Sequence, residues 1–226
     1  MSTILFVLGL PGSGKSTVSR YIVKFVKHKQ RGQLILRIND FNILYEMFQA
    51  DIHQKQFKPT KEYNGFDVVD LTVFDTVLKK IEMKALDFIH NEKKPGLIVI
   101  EFARNNYSRA IKQFTPDFLQ NAYFLFLDAK IHICKQRIRD RVANPQTEDD
   151  HYVSDYIFQS YYDIYNGHHP LSSLKADYGI DGTKIRVIAN NGQFEDIRKK
   201  IDEFVNFIFK QEGSNMVITS TNSKQT

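Results

Sequence analysis

Residues 9–16 read Gly9-Leu10-Pro11-Gly12-Ser13-Gly14-Lys15-Ser16, the spacing G-x-x-x-x-G-K-S. The chemistry open to this spacing is the binding of a chain of phosphates. Glycines at these places let the backbone turn inward, so that successive N–H groups point at one centre. A helix that begins at the end of the loop adds the partial positive charge of its N-terminus. Lys15 supplies a full positive charge for the terminal phosphates, and the Ser16 hydroxyl, followed by Thr17, is an oxygen donor for Mg²⁺. The pattern predicts a nucleoside triphosphate with Mg²⁺ as the ligand, held by Gly9, Pro11, Gly12, Ser13, Gly14, Lys15, Ser16 and Thr17.

A strand must deliver this loop and a helix must receive it. Thr3–Leu8 is a short apolar run that fits a buried parallel strand, and Val18, Tyr21, Ile22, Phe25 and Val26 follow at helical spacing. Further strands are predicted at 33–38, 97–100, 121–127 and 184–189, alternating with helical patterns at 41–48, 67–93, 108–114, 131–142 and 193–211. Asp67 or Asp70 can cap the helix at 67–93. Residues 49–66, broken by Pro59 and Gly65, read as a loop or small insertion, and Glu148-Asp149-Asp150 reads as the opening of another helix. The alternation predicts right-handed βαβ crossovers and a parallel sheet with helices on both faces, with ligands beyond the carboxyl ends of the strands.

Several strand ends then bring polar groups to the rim where the loop lies: Asp40, Glu101, Asp128 and residues 190–192. Glu101 closes the apolar run 97–100 and can hold the Mg²⁺ hydration shell or orient a nucleophile; the alternatives are a helix cap or a surface acid. Asp40 can accept a proton from an attacking hydroxyl or cap the helix that follows it. Arg137 and Arg141 share a helix face and can clamp phosphoryl oxygens, or be solvated helix charge. Arg104 is a further candidate for an anion. The seven histidines, with His168 and His169 adjacent, show no metal-ligand spacing, and the aromatic run from Tyr156 to Tyr165 reads as core packing.

The composition sets outer bounds. The chain has 226 residues, 42% hydrophobic and 25% charged, which is globular usage with room for one large core. A net charge of +5 without a run of like charges suits an anionic substrate and is a weak argument for nucleic acid. The lone Cys134 excludes an intrachain disulfide, and no run approaches the ~20 apolar residues of a membrane span. The sequence reads as a cytoplasmic protein with one domain over 1–212 and a disordered tail at 213–226.

The stretch GLPGSGKST at 9–17, with the rim residues, resembles the P-loop nucleoside/nucleotide kinase-like family, which includes adenylate and shikimate kinases. The resemblance implies an α/β fold with a five-stranded parallel sheet in the order 2-3-1-4-5 and a mobile lid, here about 137–165. It implies an acid after strand two (Asp40), an acid ending strand three (Glu101), lid arginines after strand four (Arg137 and Arg141) and an adenine contact after strand five (Asn190). Residues 42–66 fall where such proteins recognise their second substrate. The implied activity is ATP- and Mg²⁺-dependent transfer of the γ-phosphate to a small molecule or nucleotide. Lys15, Asp40, Glu101, Arg137 and Arg141 would carry the chemistry, and Ser16 and Glu101 would serve the metal. A nucleotide-dependent switch and a 5′-end nucleic-acid kinase are the rival expectations; neither Asn-Lys-x-Asp nor a Leu-Ser-Gly-Gly-like signature occurs. The chain also departs from the Asp-x-Asp or Asp-Arg of several branches, with Glu101-Phe-Ala-Arg104 in that place.

Overall fold

A computed structural model describes residues 2–30, 32–63, 65–92, 94–147, 149–162 and 171–221, without the side chains of 171–173 and 212–221. The strands are β1 (Thr3–Leu8), β2 (Leu34–Asn39), β3 (Phe57–Pro59), β4 (Phe66–Val68), β5 (Gly96–Phe102), β6 (Ala122–Asp128) and β7 (Ile185–Ala189). The helices are α1 (Lys15–Lys29), α2 (Asp40–Ala50), α3 (Thr72–Asn91), α4 (Tyr107–Ile111), α5 (Pro116–Gln120), α6 (Ile131–Ala143), α7 (Asp155–Ile157), α8 (Leu171–Tyr178) and α9 (Phe194–Thr221). None of them is long and apolar enough to cross a membrane.

Five strands form one parallel sheet in the order β2-β5-β1-β6-β7. Counting only these strands, the order is 2-3-1-4-5; the labels skip because β3 and β4 form a separate antiparallel hairpin. Side chains on successive strand residues point to opposite faces, so β1 serves two cores. Phe6 and Leu8 join Ile98, Ile100, Phe124 and residues of α2, α3 and α4 on one side. Leu5 and Val7 join Val99, Leu125, the apolar faces of α1 and α9 on the other. Burial on both faces explains why β1, β5 and β6 read as unbroken apolar runs rather than alternating ones.

Several elements differ from the sequence expectation. Residues 57–68 carry the β3–β4 hairpin, so the helical pattern placed at 67–93 starts at Thr72, where Asp70 Oδ1 accepts the Thr72 N–H at 3.0 Å. Residues 149–154 are not helical; α7 begins after them, with Ser154 Oγ accepting the Ile157 N–H at 3.1 Å. The acidic stretch does not open a helix because Asp149 is drawn inward by two arginines, while Asp150 accepts from the Gln146 and Thr147 amides. Helix α9 spans Phe194–Thr221 and so runs into the stretch expected as a tail. Glu148, Tyr165, His168, His169, residues 222–226 and the end of the expected lid at 163–165 lie outside the described residues.

The centre of the larger core is Phe6, fully buried and stacked on Phe124 at 5.0 Å, with Phe114, Phe102 and Phe118 edge-on at 5.1, 6.1 and 6.2 Å. Phe6→Ala is expected to lower unfolding stability by about 3–5 kcal/mol in denaturant titration; a loss below about 1 kcal/mol would contradict this packing.

Candidate active site

The loop between β1 and α1 wraps inward as its glycines require. Gly12 and Gly14 have φ of +79° and +97°, and a Cβ would lie 2.3 Å from the Cys134 carbonyl oxygen at Gly12 and 2.6 Å from Asn190 Nδ2 at Gly14. Gly14 is the N-cap of α1 and offers no side-chain acceptor, and no acid stands in the first turn. The first amides of α1 are therefore left to an external anion. The loop is braced from behind. Asn190 Nδ2 donates to Ser13 O at 2.8 Å, and Tyr107 Oη accepts the Gly9 N–H at 2.7 Å.

Lys15 Nζ donates to Gly9 O at 3.0 Å and Leu10 O at 2.9 Å, which folds its ammonium over the loop. Burial pulls its pKa down to about 8, against the opposing pull of Asp40 and Glu101. Ser16 Oγ donates to Glu101 Oε2 at 3.0 Å. Glu101 is 1% exposed at the end of β5, and burial pushes its carboxyl above the usual carboxylate range, opposed by the Arg37 guanidinium. Arg37 Nε donates to Glu101 Oε1, and Arg37 Nη2 donates to Asp149 Oδ1 at 2.8 Å. Asp149 also accepts from Asn39 Nδ2 at 3.1 Å and from Arg20 Nη1. A continuous chain thus runs from the loop serine through Glu101 and Arg37 to Asp149.

Asp40 occupies the other wall. Its Oδ2 accepts from Arg104 Nη1 at 2.5 Å and from the Ala103 N–H at 3.4 Å. The helix cap is Asn39, whose Oδ1 accepts the Phe41 N–H at 3.0 Å, so the capping role considered for Asp40 belongs to its neighbour. Arg104 does not reach for an external anion. It is 2% exposed, donates to Ala103 O at 2.6 Å and Phe74 O at 3.0 Å, and lies over the Phe74 and Phe102 rings.

These walls enclose a cavity of about 290 Å³. The loop from Pro11 to Thr17, apart from Ser13, borders it, as do Asp40, Arg137 and Arg141. Gly9, Ser13, Glu101 and Asn190 stand behind this wall. Asn190 braces the loop through its amide nitrogen. Arg137 donates to Asn190 O at 2.9 Å and Gly192 O at 2.6 Å, tying α6 to the turn after β7. Arg141 donates through Nε and Nη2 to His151 O at 3.1 and 2.7 Å, and burial lowers its pKa. Arg20, Arg37, Asp149, Tyr107 and His151 were not singled out from the sequence. The signal for Arg37 was a charge inside a strand, which needs a partner when buried; Asp149 was hidden in an acidic run.

Comparison with solved structures settles the fold. Chaetomium thermophilum Kti12 in complex with ADP-AlF3 superposes with a TM-score of 0.56 at 13% identity, covering 91% of this chain and 98% of that one. A gluconokinase from Sinorhizobium meliloti 1021 gives 0.51 at 12% identity over 97% of both chains. Shikimate kinase from Acinetobacter baumannii in complex with shikimate gives 0.50 at 14%, over 93% and 95%. The chain has the P-loop NTPase fold of the kinase-like type. No family model matches it, and no curated protein matches its sequence.

In this P-loop fold, the lysine of the loop works against stability. Its pKa is lower in the folded chain than in the unfolded one, so the unfolded state holds more protons between pH about 8 and 10.5, and stability rises with pH across that window. Lys15→Met is expected to stabilise the free protein by about 1–3 kcal/mol at pH 7. The advantage should fade as pH rises from about 8 towards 10.5, as read by denaturant unfolding at several pH values. A methionine variant no more stable than the parent at pH 7 would contradict the burial of this ammonium.

Proposed function

We propose that this chain is an ATP- and Mg²⁺-dependent phosphotransferase that moves the γ-phosphoryl group to a second substrate. The observation that carries the reading is the convergence on one cavity of Lys15, the uncapped N-terminus of α1, the Ser16 hydroxyl and the Asp40 carboxylate.

The fit to the nucleotide rests on the cradle itself: left-handed glycines, free helix amides and an ammonium with only carbonyl partners. The fit to Mg²⁺ rests on the donor set. Ser16 lines the cavity with a hydroxyl, a hard oxygen donor, and Glu101 holds that hydroxyl from behind; Mg²⁺ takes one or two protein oxygens beside phosphate and water. The ion would neutralise charge on the β- and γ-phosphates. Among the described residues no larger cluster of metal-ligating side chains occurs.

The residues then divide the work. Lys15 and the loop amides orient the phosphates. Arg141, beside the loop, offsets charge on the transferred group. Arg137 fixes the turn after β7, on the side where the nucleotide base would lie. Arg104 fixes the Asp40 rotamer through Oδ2, leaving Oδ1 to take a proton from the attacking hydroxyl.

The test uses γ-labelled ATP and a panel of candidate acceptors. Lys15→Ala should lower acceptor-dependent label transfer by about 10²-fold or more. Asp40→Asn should lower kcat by about 10²–10⁴-fold with little change in ATP affinity. Thermal unfolding followed alongside separates these losses from unfolding. Full transfer by the Lys15 variant, or ATP hydrolysis that no acceptor diverts, would contradict the proposal.

A further inference from the structure

Residues 149–154 border the cavity without forming a helix or a strand. No regular backbone ladder holds this stretch, so side chains must set its place. Asp149, 5% exposed, fastens one end. Its Oδ1 accepts from Arg37 Nη2 at 2.8 Å and from Asn39 Nδ2 at 3.1 Å, and its Oδ2 accepts from Arg20 Nη1. Both carboxylate oxygens are therefore engaged, by donors from β2 and from α1, the helix that begins at the P-loop. Hydrogen bonds of this kind, with both partners charged, are the stronger and more directional ones.

Two residues further on, the His151 carbonyl oxygen receives Arg141, through Nε at 3.1 Å and Nη2 at 2.7 Å. That double contact sets the direction of a guanidinium that borders the cavity. The carbonyl is steadied from the ring side as well, because the His151 imidazole lies on Phe41 with centroids 3.5 Å apart and planes 6° from parallel. Burial works against the charge of Arg141, and Asp150 and Asp149 oppose that pull. An arginine carries a long side chain with much rotamer freedom, so it serves a reacting phosphoryl group best when that freedom is removed beforehand.

We propose that Asp149 is a positioning residue: pinned by Arg20, Arg37 and Asn39, it holds the His151 carbonyl where that carbonyl aims Arg141 at the γ-phosphoryl group. The proposal rests on the phosphotransferase reading, in which Arg141 offsets charge on the transferred group, and deepens it. Asp149 spends both oxygens on the clamp and acts through Arg141. Since Arg20 belongs to the P-loop helix, the phosphate cradle and the arginine share one anchor, and the two keep their mutual distance.

The experiment measures two dissociation constants of the full chain by calorimetry, one for Mg·ADP and one for Mg²⁺ with the β,γ-imido analogue of ATP. Their ratio reports what the γ-phosphate adds, and the parent is expected to favour the triphosphate by about tenfold or more. Asp149→Asn keeps the size of the side chain and turns one acceptor into a donor that faces an arginine. It and Arg141→Met should each lower the ratio by about tenfold, with the Kd of Mg·ADP changed by less than about threefold. In the Arg141→Met background, Asp149→Asn should lower the ratio no further, because a contact already removed is not lost twice. A merely structural carboxylate would not show this dependence on Arg141. Arg20→Gln, which removes the partner of Asp149 Oδ2, repeats the cycle should Asp149→Asn fold poorly, as judged by thermal unfolding. The proposal is overturned by an Asp149 variant that keeps the ratio, weakens both nucleotides alike, or lowers the ratio as much without Arg141 as with it. A parent chain that holds the two nucleotides equally overturns it too, and in each of these cases nucleotide binding stands. A folded parent that binds neither nucleotide contradicts the phosphotransferase reading itself.

Discussion

A carboxylate buried at the end of a hydrophobic strand is the constraint on which the site depends. Glu101 sits where β5 leaves the core, and an unpaired charge there would cost several kcal/mol. It is met by the Ser16 hydroxyl on one oxygen and the Arg37 guanidinium on the other. Arg37 is itself a charge in a strand and is met by Asp149, which in turn accepts from Arg20 on α1 and Asn39 on β2. Satisfying one carboxylate therefore draws residues 149–154 down over the cavity and ties them to the P-loop helix. Arg141 and Phe41 hold the same segment through the backbone and ring of His151. The segment continues to the hairpin region, where Tyr152 Oη donates to Glu62 at 2.6 Å and Ser154 to Asp67. The P-loop side and the hairpin side of the cavity are thereby joined by one short stretch of chain.

The P-loop accepts local cost for function. Its glycines hold conformations that other residues avoid, its lysine is desolvated, and the amides at the start of α1 lack a cap. The two-sided core of the sheet supplies the stability against which these costs stand, and Asn190 and Tyr107 fix the loop without filling the space in front of it. Such a division is expected where binding an anion needs donors left open in advance.

Most of the fold was legible because the strands are buried on both faces. Unbroken apolar runs marked β1, β5 and β6, and the loop motif marked the strand end that borders the cavity. The hairpin at 57–68 was not legible: three-residue strands carry too little alternation, and Asp67 and Val68 fit a helical period equally well. In the site, residues at the strand ends were visible, whereas Arg37 and Asp149 make sense only as a pair across 112 positions. The functions of Asn190 and Arg104 depended on the direction their side chains take. Both turn inward, Asn190 to the loop backbone and Arg104 to Asp40, and sequence position does not report that.

The central claim is that Mg·ATP seats on the P-loop and engages the chain of contacts from Ser16 to Asp149. Amide hydrogen exchange with and without Mg·ATP tests it most directly. The account predicts slower exchange at residues 12–17 together with residues 149–154. Binding of Mg·ATP that leaves the amides of 12–17 unchanged would contradict it.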